Sequence, residues 1–291
     1  MADAQAATRA ACSESYQGLD CQRLTLPCGD TVLVALQGAH VLSWVSQGRE
    51  RLFLSPNNVW DGQSAIRGGV PVCFPQFNQR GTLPKHGFAR NMAWTVGEVV
   101  ATGDGAHHDF TLSTNADTRS IWPQAFVATL RVALAPGQLT ITLTVDNTET
   151  QNDLQFTGAL HTYCAVDDID LTELRGLGGR PEWDAVADVH GLADEALYFD
   201  GEFDRVYTWA ESAAPNPLHV QDGTSTLHIE QSPSWVNSVV WNPGESKCTA
   251  LADMPAHGFA RMLCVEAAQV FEPISIPAGG QWVGWQRLTV S

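Results

Sequence analysis

The feature that most constrains this chain is a hydrophobic period of two. In Thr31-Val-Leu-Val-Ala-Leu-Gln-Gly-Ala-His-Val-Leu-Ser-Trp44 and Leu139-Thr-Ile-Thr-Leu-Thr-Val145, apolar residues recur mainly at every second position. That is the spacing at which an extended chain buries one face and leaves the other wet. Between Leu130-Arg-Val-Ala-Leu134 and Leu139 lies Ala-Pro-Gly-Gln, whose Pro-Gly step suits a tight turn, so the two runs are expected to form an antiparallel hairpin. Further strands are expected at Phe110-Thr-Leu, Thr226-Leu-His-Ile, Val239-Val-Trp, Met262-Leu-Cys-Val and from Trp282 to Val290. Helical patterning is confined to an Ala-rich stretch near residues 2–12 and to Asp194-Glu-Ala-Leu, and neither alternates with strands in a βαβ rhythm. Rossmann and TIM architectures are disfavoured. No linker-like composition divides the chain, so the expectation is one all-β domain over residues 1–291, a large and mostly antiparallel sandwich, with residues 1–20 as a loosely ordered extension.

Charge excludes one class of partner. The chain has 291 residues with 32 acidic and 16 basic side chains, a formal charge of -16, whereas nucleic-acid-binding modules need basic stripes to neutralise phosphates. Its apolar runs are a few residues long, far short of the roughly 20 that cross a bilayer as a helix, so no membrane partner is expected. The N-terminus lacks a basic segment followed by an apolar one, which makes a cytoplasmic address the default. The seven cysteines are odd in number and scattered without a C-x-x-C pair, as suits small buried hydrophobes in a reducing compartment.

From Gly62 to Gly97 there is no Asp or Glu, yet the window holds Arg67, Arg80, Lys85 and Arg90. A local charge of this sign in an acidic chain suits an anionic small molecule, because arginine forks match phosphate and carboxylate oxygens. Pairing with acids brought from elsewhere in the fold is the alternative. The same window carries Arg67-Gly-Gly-Val-Pro71 and His86-Gly-Phe-Ala-Arg90, a density of glycine and proline that suits either ligand-hugging loops or ordinary turns. Pro84-Lys-His-Gly-Phe-Ala-Arg90 recurs as Pro255-Ala-His-Gly-Phe-Ala-Arg261. The flanks do not continue the similarity, and the second copy is read as accidental or local.

His161 lies in Gln155-Phe-Thr-Gly-Ala-Leu-His-Thr-Tyr-Cys-Ala-Val166. Read as a strand, this places His161 with Thr157, Ala159 and Tyr163 on a small polar face, and Leu160, Cys164 and Val166 on the other. A Cys164–His161 nucleophile pair is thereby disfavoured, while a structural histidine stays open. In Arg261-Met-Leu-Cys-Val-Glu266 both faces are apolar up to Glu266. A carboxylate there is either partly desolvated, with a raised pKa suited to a general base, or a strand-end group that reaches water. No H-E-x-x-H, G-x-S-x-G or P-loop occurs.

Taken together, Ile66-Arg-Gly-Gly-Val-Pro-Val-Cys-Phe-Pro75, Leu83-Pro-Lys-His-Gly-Phe-Ala-Arg-Asn91, Ala159-Leu-His-Thr-Tyr163, Asp204-Arg-Val-Tyr207, Val239-Val-Trp-Asn-Pro243 and Cys264-Val-Glu266 resemble the glucose-6-phosphate 1-epimerase family, the hexose-6-phosphate mutarotase branch of the aldose 1-epimerase superfamily. The blocks run in order over most of the chain. The resemblance implies a galactose mutarotase-like β-supersandwich and a cofactor-free interconversion of α and β anomers. It places His161 on the family's catalytic histidine and Glu266 on its catalytic glutamate. Arg67 and Arg90 match substrate-binding positions, Asp204 a sugar-binding acid, and His86 a second histidine that orients substrate. Lys85 stands where some members carry a neutral polar residue, and its role as a phosphate contact is inferred from charge. The family's Trp-Asn-Pro-Trp is here Trp241-Asn-Pro-Gly244, and Asp253-Met-Pro-Ala-His-Gly-Phe departs from the usual approach to the glutamate.

The chemistry implied is a base at O1 (Glu266) and an acid at the ring oxygen (His161), expected on opposite sides of the sugar ring, with no metal or redox cofactor. The expected partner is a small-molecule sugar phosphate, and a monomer is expected. A mutarotase of unphosphorylated aldoses and a non-catalytic sugar-phosphate binder are the rival readings.

Overall fold

The computed structural model describes residues 10–209 and 215–291. Among these, strands form a five-stranded, a ten-stranded and an eight-stranded sheet, and every pairing of strands is antiparallel. The inner faces of the two large sheets share one apolar core. Leu130, Ile141, Leu143 and Leu288 enter it from the ten-stranded sheet, and Phe156, Leu160, Leu263 and Val265 from the eight-stranded one. The five-stranded sheet, Ala10 to Glu50, contributes Val32, Val34, Val41 and Trp44 to the same core. No helix among the described residues is long and apolar enough to cross a membrane.

The period-two segments become these strands. Phe126–Ala135 and Gln138–Asn147 form the expected hairpin, with Ala135 opposite Gln138 across Pro136-Gly137. Phe110, Thr226, Val239, Met262 and Trp282 all fall inside strands. The run from Thr31 to Trp44 is broken into Thr31–Ala35 and His40–Ser46 because the chain reverses at Gly38 (φ +72°) and Ala39 (φ +46°). A Cβ at Gly38 would come within 2.6 Å of the Arg90 carbonyl oxygen, so this turn is packed against the arginine-bearing window.

The helix expectations are corrected. Residues 1–9 lie outside the described residues, and Ala10–Tyr16 is a strand paired along its length with Leu19–Thr25. Within the stretch 1–20 expected to be a loosely ordered extension, the described residues from Ala10 on are thus in regular structure. Around Asp194 the chain bends into Ala196–Leu197, which pairs with Leu174 and Arg175 and buries Leu197 in the core; sheet pairing and burial outweigh the helix propensity of a short Ala/Glu/Leu run. Two short α-helices occur elsewhere, Ala116–Ile121 and Gly244–Ala250. The first is set by a capping box in which Asn115 and Thr118 exchange side-chain to backbone hydrogen bonds, both 2.9 Å, an arrangement that satisfies otherwise unpaired donors of the first turn.

Candidate active site

The outer face of the eight-stranded sheet carries two cross-strand rows. Trp183 pairs with Val206, Val206 with Val239, and Val239 with Glu266; beside this row run Asp204, Trp241, Cys264 and Tyr163. Because side chains alternate along a strand, one face collects these residues while Leu263, Val265 and Ala267 point into the core. The rows form the floor of a cavity of about 190 Å³. Its walls come from Phe77, Arg80, Lys85 and His86 on one side and from Lys247 and Leu251 on the other, with Arg67 and His161 also lining it.

His161 falls between the strands Leu154–Leu160 and Tyr163–Ala165. As the alternation implied, Leu160, Cys164 and Val166 go to the core. The His161 ring stacks on Tyr163, centroids 4.8 Å apart and nearly parallel. Cys164 is unsuited to nucleophilic work, since burial pushes its thiol up to about 12. Glu266 is not at a strand end: Met262–Ile276 is one long strand, and the residue is buried.

The two side chains meet, His161 Nε2 standing 3.3 Å from Glu266 Oε1. Their other polar atoms, His161 Nδ1 and Glu266 Oε2, are buried without a hydrogen-bond partner. Native proteins satisfy nearly all buried polar atoms, so two orphans at one spot signal a ligand's place. Burial raises the Glu266 pKa well above the ordinary glutamate value, and the nearby Asp204 adds to the rise. Burial likewise drives His161 well below the ordinary histidine value, helped by His86, Arg90 and Arg67. The carboxylate thus becomes a stronger base and the imidazolium a stronger acid.

A closed hydrogen-bond ring fixes the backbone beside both residues. Val265 N–H donates to the Thr162 carbonyl (3.0 Å), Gln286 Nε2 donates to the Val265 carbonyl (3.0 Å), and the Thr162 hydroxyl donates to Gln286 Oε1. Gln286 is wholly buried. Its amide therefore ties the residue after His161 to the residue before Glu266.

His86 adopts φ +64°, which is uncommon for a residue with a side chain and recurs at functional positions. Its Nδ1 accepts a hydrogen bond from the Asn78 amide (3.3 Å), which leaves the proton on Nε2. Burial, with Arg90, Lys85 and Arg67 nearby, pushes its pKa down to about 3. His86 is consequently a neutral donor rather than an acid. The next residue, Gly87 (φ +70°), could carry no side chain, because a Cβ would lie 2.1 Å from the Phe74 carbonyl oxygen.

The four basic residues of the acid-free window separate into different roles. Arg67 is held by Asp253 (Nε–Oδ2 3.0 Å, Nη2–Oδ2 2.8 Å) and donates to the Tyr163 hydroxyl (3.3 Å), so for Arg67 an acid is indeed brought from elsewhere. Arg90, expected to touch substrate, does not line the cavity. The short 3₁₀ turn Ala89–Asn91 carries it behind the wall, where Nη2 donates to the Lys85 carbonyl (2.9 Å). Its charge still bears on His161 and His86. Lys85 and Arg80 do line the cavity. Asp204 is there too, its pKa raised by burial despite Lys247 and Lys85.

Lys247 escaped the sequence reading, although a signal existed: it is the second of the only two lysines in the chain, and both line this cavity. The departure at Gly244 brings it there. Gly244 has φ +63°, and a Cβ would clash with Glu202 N at 2.5 Å. Only glycine lets the helix Gly244–Ala250 pack down on Gly201-Glu202, where Lys247 pairs with Glu202.

The two heptapeptides share one turn bond and a following 3₁₀ turn, although the backbone differs at the histidine, φ +64° at His86 and φ -108° at His257. Gly87 and Gly258 each donate to the carbonyl of the leading proline at 2.8 Å, and each copy then enters a 3₁₀ turn. The second copy has no part in the cavity. Arg261 instead lines a larger cavity of about 500 Å³ with Arg23 and Arg49, where each arginine faces an acid: Arg23 with Glu14, Arg49 with Asp222 and Asp167, Arg261 with Asp167.

Residues 20–289 match the family model described as aldose 1-epimerase. A protein of Cenchrus ciliaris named "Putative glucose-6-phosphate 1-epimerase" is 36% identical over 261 residues, covering 86% of this chain and 78% of that one. A solved structure from Salmonella typhimurium described as "a putative mutarotase" superposes with a TM-score of 0.87 at 29% identity, covering 98% and 97% of the two chains. A "galactose mutarotase-like protein" from Clostridium acetobutylicum gives a TM-score of 0.74 at 14% identity over 97% and 98% of the chains; that likeness shows the fold alone.

Proposed function

Because the chain belongs to the aldose 1-epimerase family, we propose that it interconverts the α and β anomers of a hexose 6-phosphate, glucose 6-phosphate foremost, by acid/base ring opening at His161 and Glu266. The observation that carries the reading is the buried pair itself, 3.3 Å apart, each partner with one orphaned polar atom, in a cavity lined by cations of a strongly acidic chain.

Opening a pyranose requires loss of the O1 proton and gain of one at O5 as the C1–O5 bond breaks. Glu266 takes the proton from O1, C1=O1 forms, and protonated His161 gives its proton to O5. The C1–C2 bond then rotates. His161 withdraws the O5 proton as O5 attacks the other face of C1, and Glu266 returns its proton to O1. Both residues end as they began. The acid and base stand 3.3 Å apart, a separation that suits the step because O1 and O5 are both bonded to C1. Burial raises the proton affinity of the carboxylate and lowers that of the imidazole, which strengthens Glu266 as the base and protonated His161 as the acid of the opening step.

The sugar phosphate is supported over a neutral aldose by Lys85 and Lys247 bordering Asp204 in the cavity. Asp204 supplies an acceptor for sugar hydroxyls and His86 a neutral donor. The expected partner is thus a free sugar phosphate. The deciding experiment compares anomer-exchange rates of glucose, galactose and their 6-phosphates by NMR with the purified protein. Fastest exchange with a 6-phosphate is expected; equal or faster exchange of the neutral sugars would reject the phosphate reading, and exchange of none would favour a binder without turnover.

A further inference from the structure

We propose that Arg80 is the specificity-determining residue for the phosphate group, acting with Lys85 from the loop between Asn78 and His86. This inference rests on the hexose-phosphate reading above and assigns its anion contact to a residue that neither the motif blocks nor the catalytic pair includes.

Three observations converge on Arg80. First, it lines the catalytic cavity and forms no ion pair and no side-chain hydrogen bond with any described residue. Arg67 and Lys247, in the same cavity, are each tied to a carboxylate. In a chain with twice as many acids as bases, a cation left without an acid beside a catalytic pair has its charge to offer to a ligand. Lys85, on the same loop, likewise forms no ion pair and no side-chain hydrogen bond with any described residue, although the charge of Asp204 reaches it.

Second, the guanidinium is held in place without being neutralised. Its Cζ lies 4.7 Å from the ring centroid of Trp183 and 5.1 Å from that of Phe271. Stacking on aromatic faces orients the planar fork while leaving its N–H edges available. Phe271 is 39 % exposed, an otherwise unexplained position for a large apolar ring. Its contact with Arg80 accounts for it.

Third, the loop is built from within. The buried Gln76 amide donates to the carbonyls of Asn78 and Leu83 (both 3.0 Å) and accepts from the Leu83 amide (3.0 Å). A loop so braced presents its two cations in one geometry, which lowers the ordering cost of binding. The fork of Arg80 takes two phosphate oxygens and Lys85 a third. A neutral sugar offers nothing to either.

The test measures kcat/KM for anomer exchange of glucose 6-phosphate and of glucose in the wild type, Arg80→Met, Arg80→Lys and Lys85→Met. Arg80 is an exposed residue, so folded protein is expected, checked by thermal unfolding. The wild type should prefer the phosphorylated sugar. Arg80→Met should lower that preference by about 10- to 100-fold, the loss of one charge-assisted bidentate contact, and Arg80→Lys should recover only part of it. A preference that survives in Arg80→Met, or a loss shared equally by both sugars, overturns the role of Arg80 while leaving the enzyme's substrate reading intact. Absence of a preference in the wild type overturns both.

Discussion

His161 Nε2 and Glu266 Oε1 stand 3.3 Å apart, the imidazole side chain 11% and the carboxylate 2% exposed. Such a pair is costly to bury, and the sheet does not relieve the cost: both remaining polar atoms stay unsatisfied. Replacing either partner should therefore remove function without removing the fold. Glu266→Gln and His161→Asn are each expected to slow anomer exchange by about 10²–10⁴-fold, the usual worth of one member of an acid/base pair. Exchange within a few-fold of wild type in either variant, measured by NMR at saturating glucose 6-phosphate, would remove that residue from the mechanism.

The same burial sets a stability prediction with a definite sign. The folded-state pKa of Glu266 is raised above its unfolded value, so the folded state holds the proton more tightly. Its contribution is fully present below the ordinary glutamate pKa and is lost as pH rises through the raised folded value. Glu266→Gln, which cannot ionise, should then match the wild type in acid and exceed its Tm near neutrality. Calorimetry at pH 4 and pH 8 checks this; a variant less stable than wild type at pH 8 contradicts it.

Asp204 adds to the rise of the Glu266 pKa. The proposed mechanism uses ionised Glu266, so kcat should fall on the acid side through a midpoint above the usual carboxylate range. Asp204→Asn removes the neighbouring negative charge and should move that midpoint to lower pH, alongside a raised KM from the lost sugar contact. A midpoint unmoved, or moved upward, would show that Asp204 does not act on Glu266 through its charge.

These relationships were unevenly legible in the sequence. Period-two patterning located the strands because alternation is a local property of the chain, and it also sorted the faces around His161 and Met262. The two residues that meet as the buried His161–Glu266 pair were nameable from ordered motif blocks. What escaped was set by long-range packing. Arg90 carries the motif's charge, yet a 3₁₀ turn takes it behind the wall. Arg67 finds its acid at Asp253, far along the chain. Lys247 enters because Gly244 lets one helix settle on Glu202. The Ala196–Leu197 strand shows the complementary limit, where core burial overrides a helix-favouring composition.

Gln286 provides the sharpest separation of positioning from chemistry. It hydrogen-bonds to neither the His161 nor the Glu266 side chain, yet its amide closes the ring through Thr162 and Val265, the neighbours of those two residues. Gln286→Leu keeps comparable volume but leaves a buried hydroxyl and a buried carbonyl each short of a partner, costing about 1–3 kcal/mol per group. Catalytic geometry tolerates little displacement, and a shift of about 1 Å can cost on the order of 10²-fold. The variant should therefore show a lower Tm and a kcat reduced by more than its KM changes, since the cations lining the cavity lie on other elements. Gln286→Glu, which keeps an acceptor for the Thr162 hydroxyl but has no donor when ionised, should be impaired more at high pH than at low pH, where the protonated acid can again donate to the Val265 carbonyl. A loss of stability with kcat unchanged would confine Gln286 to the core; a kcat loss that follows this pH dependence would place it in the alignment of the pair.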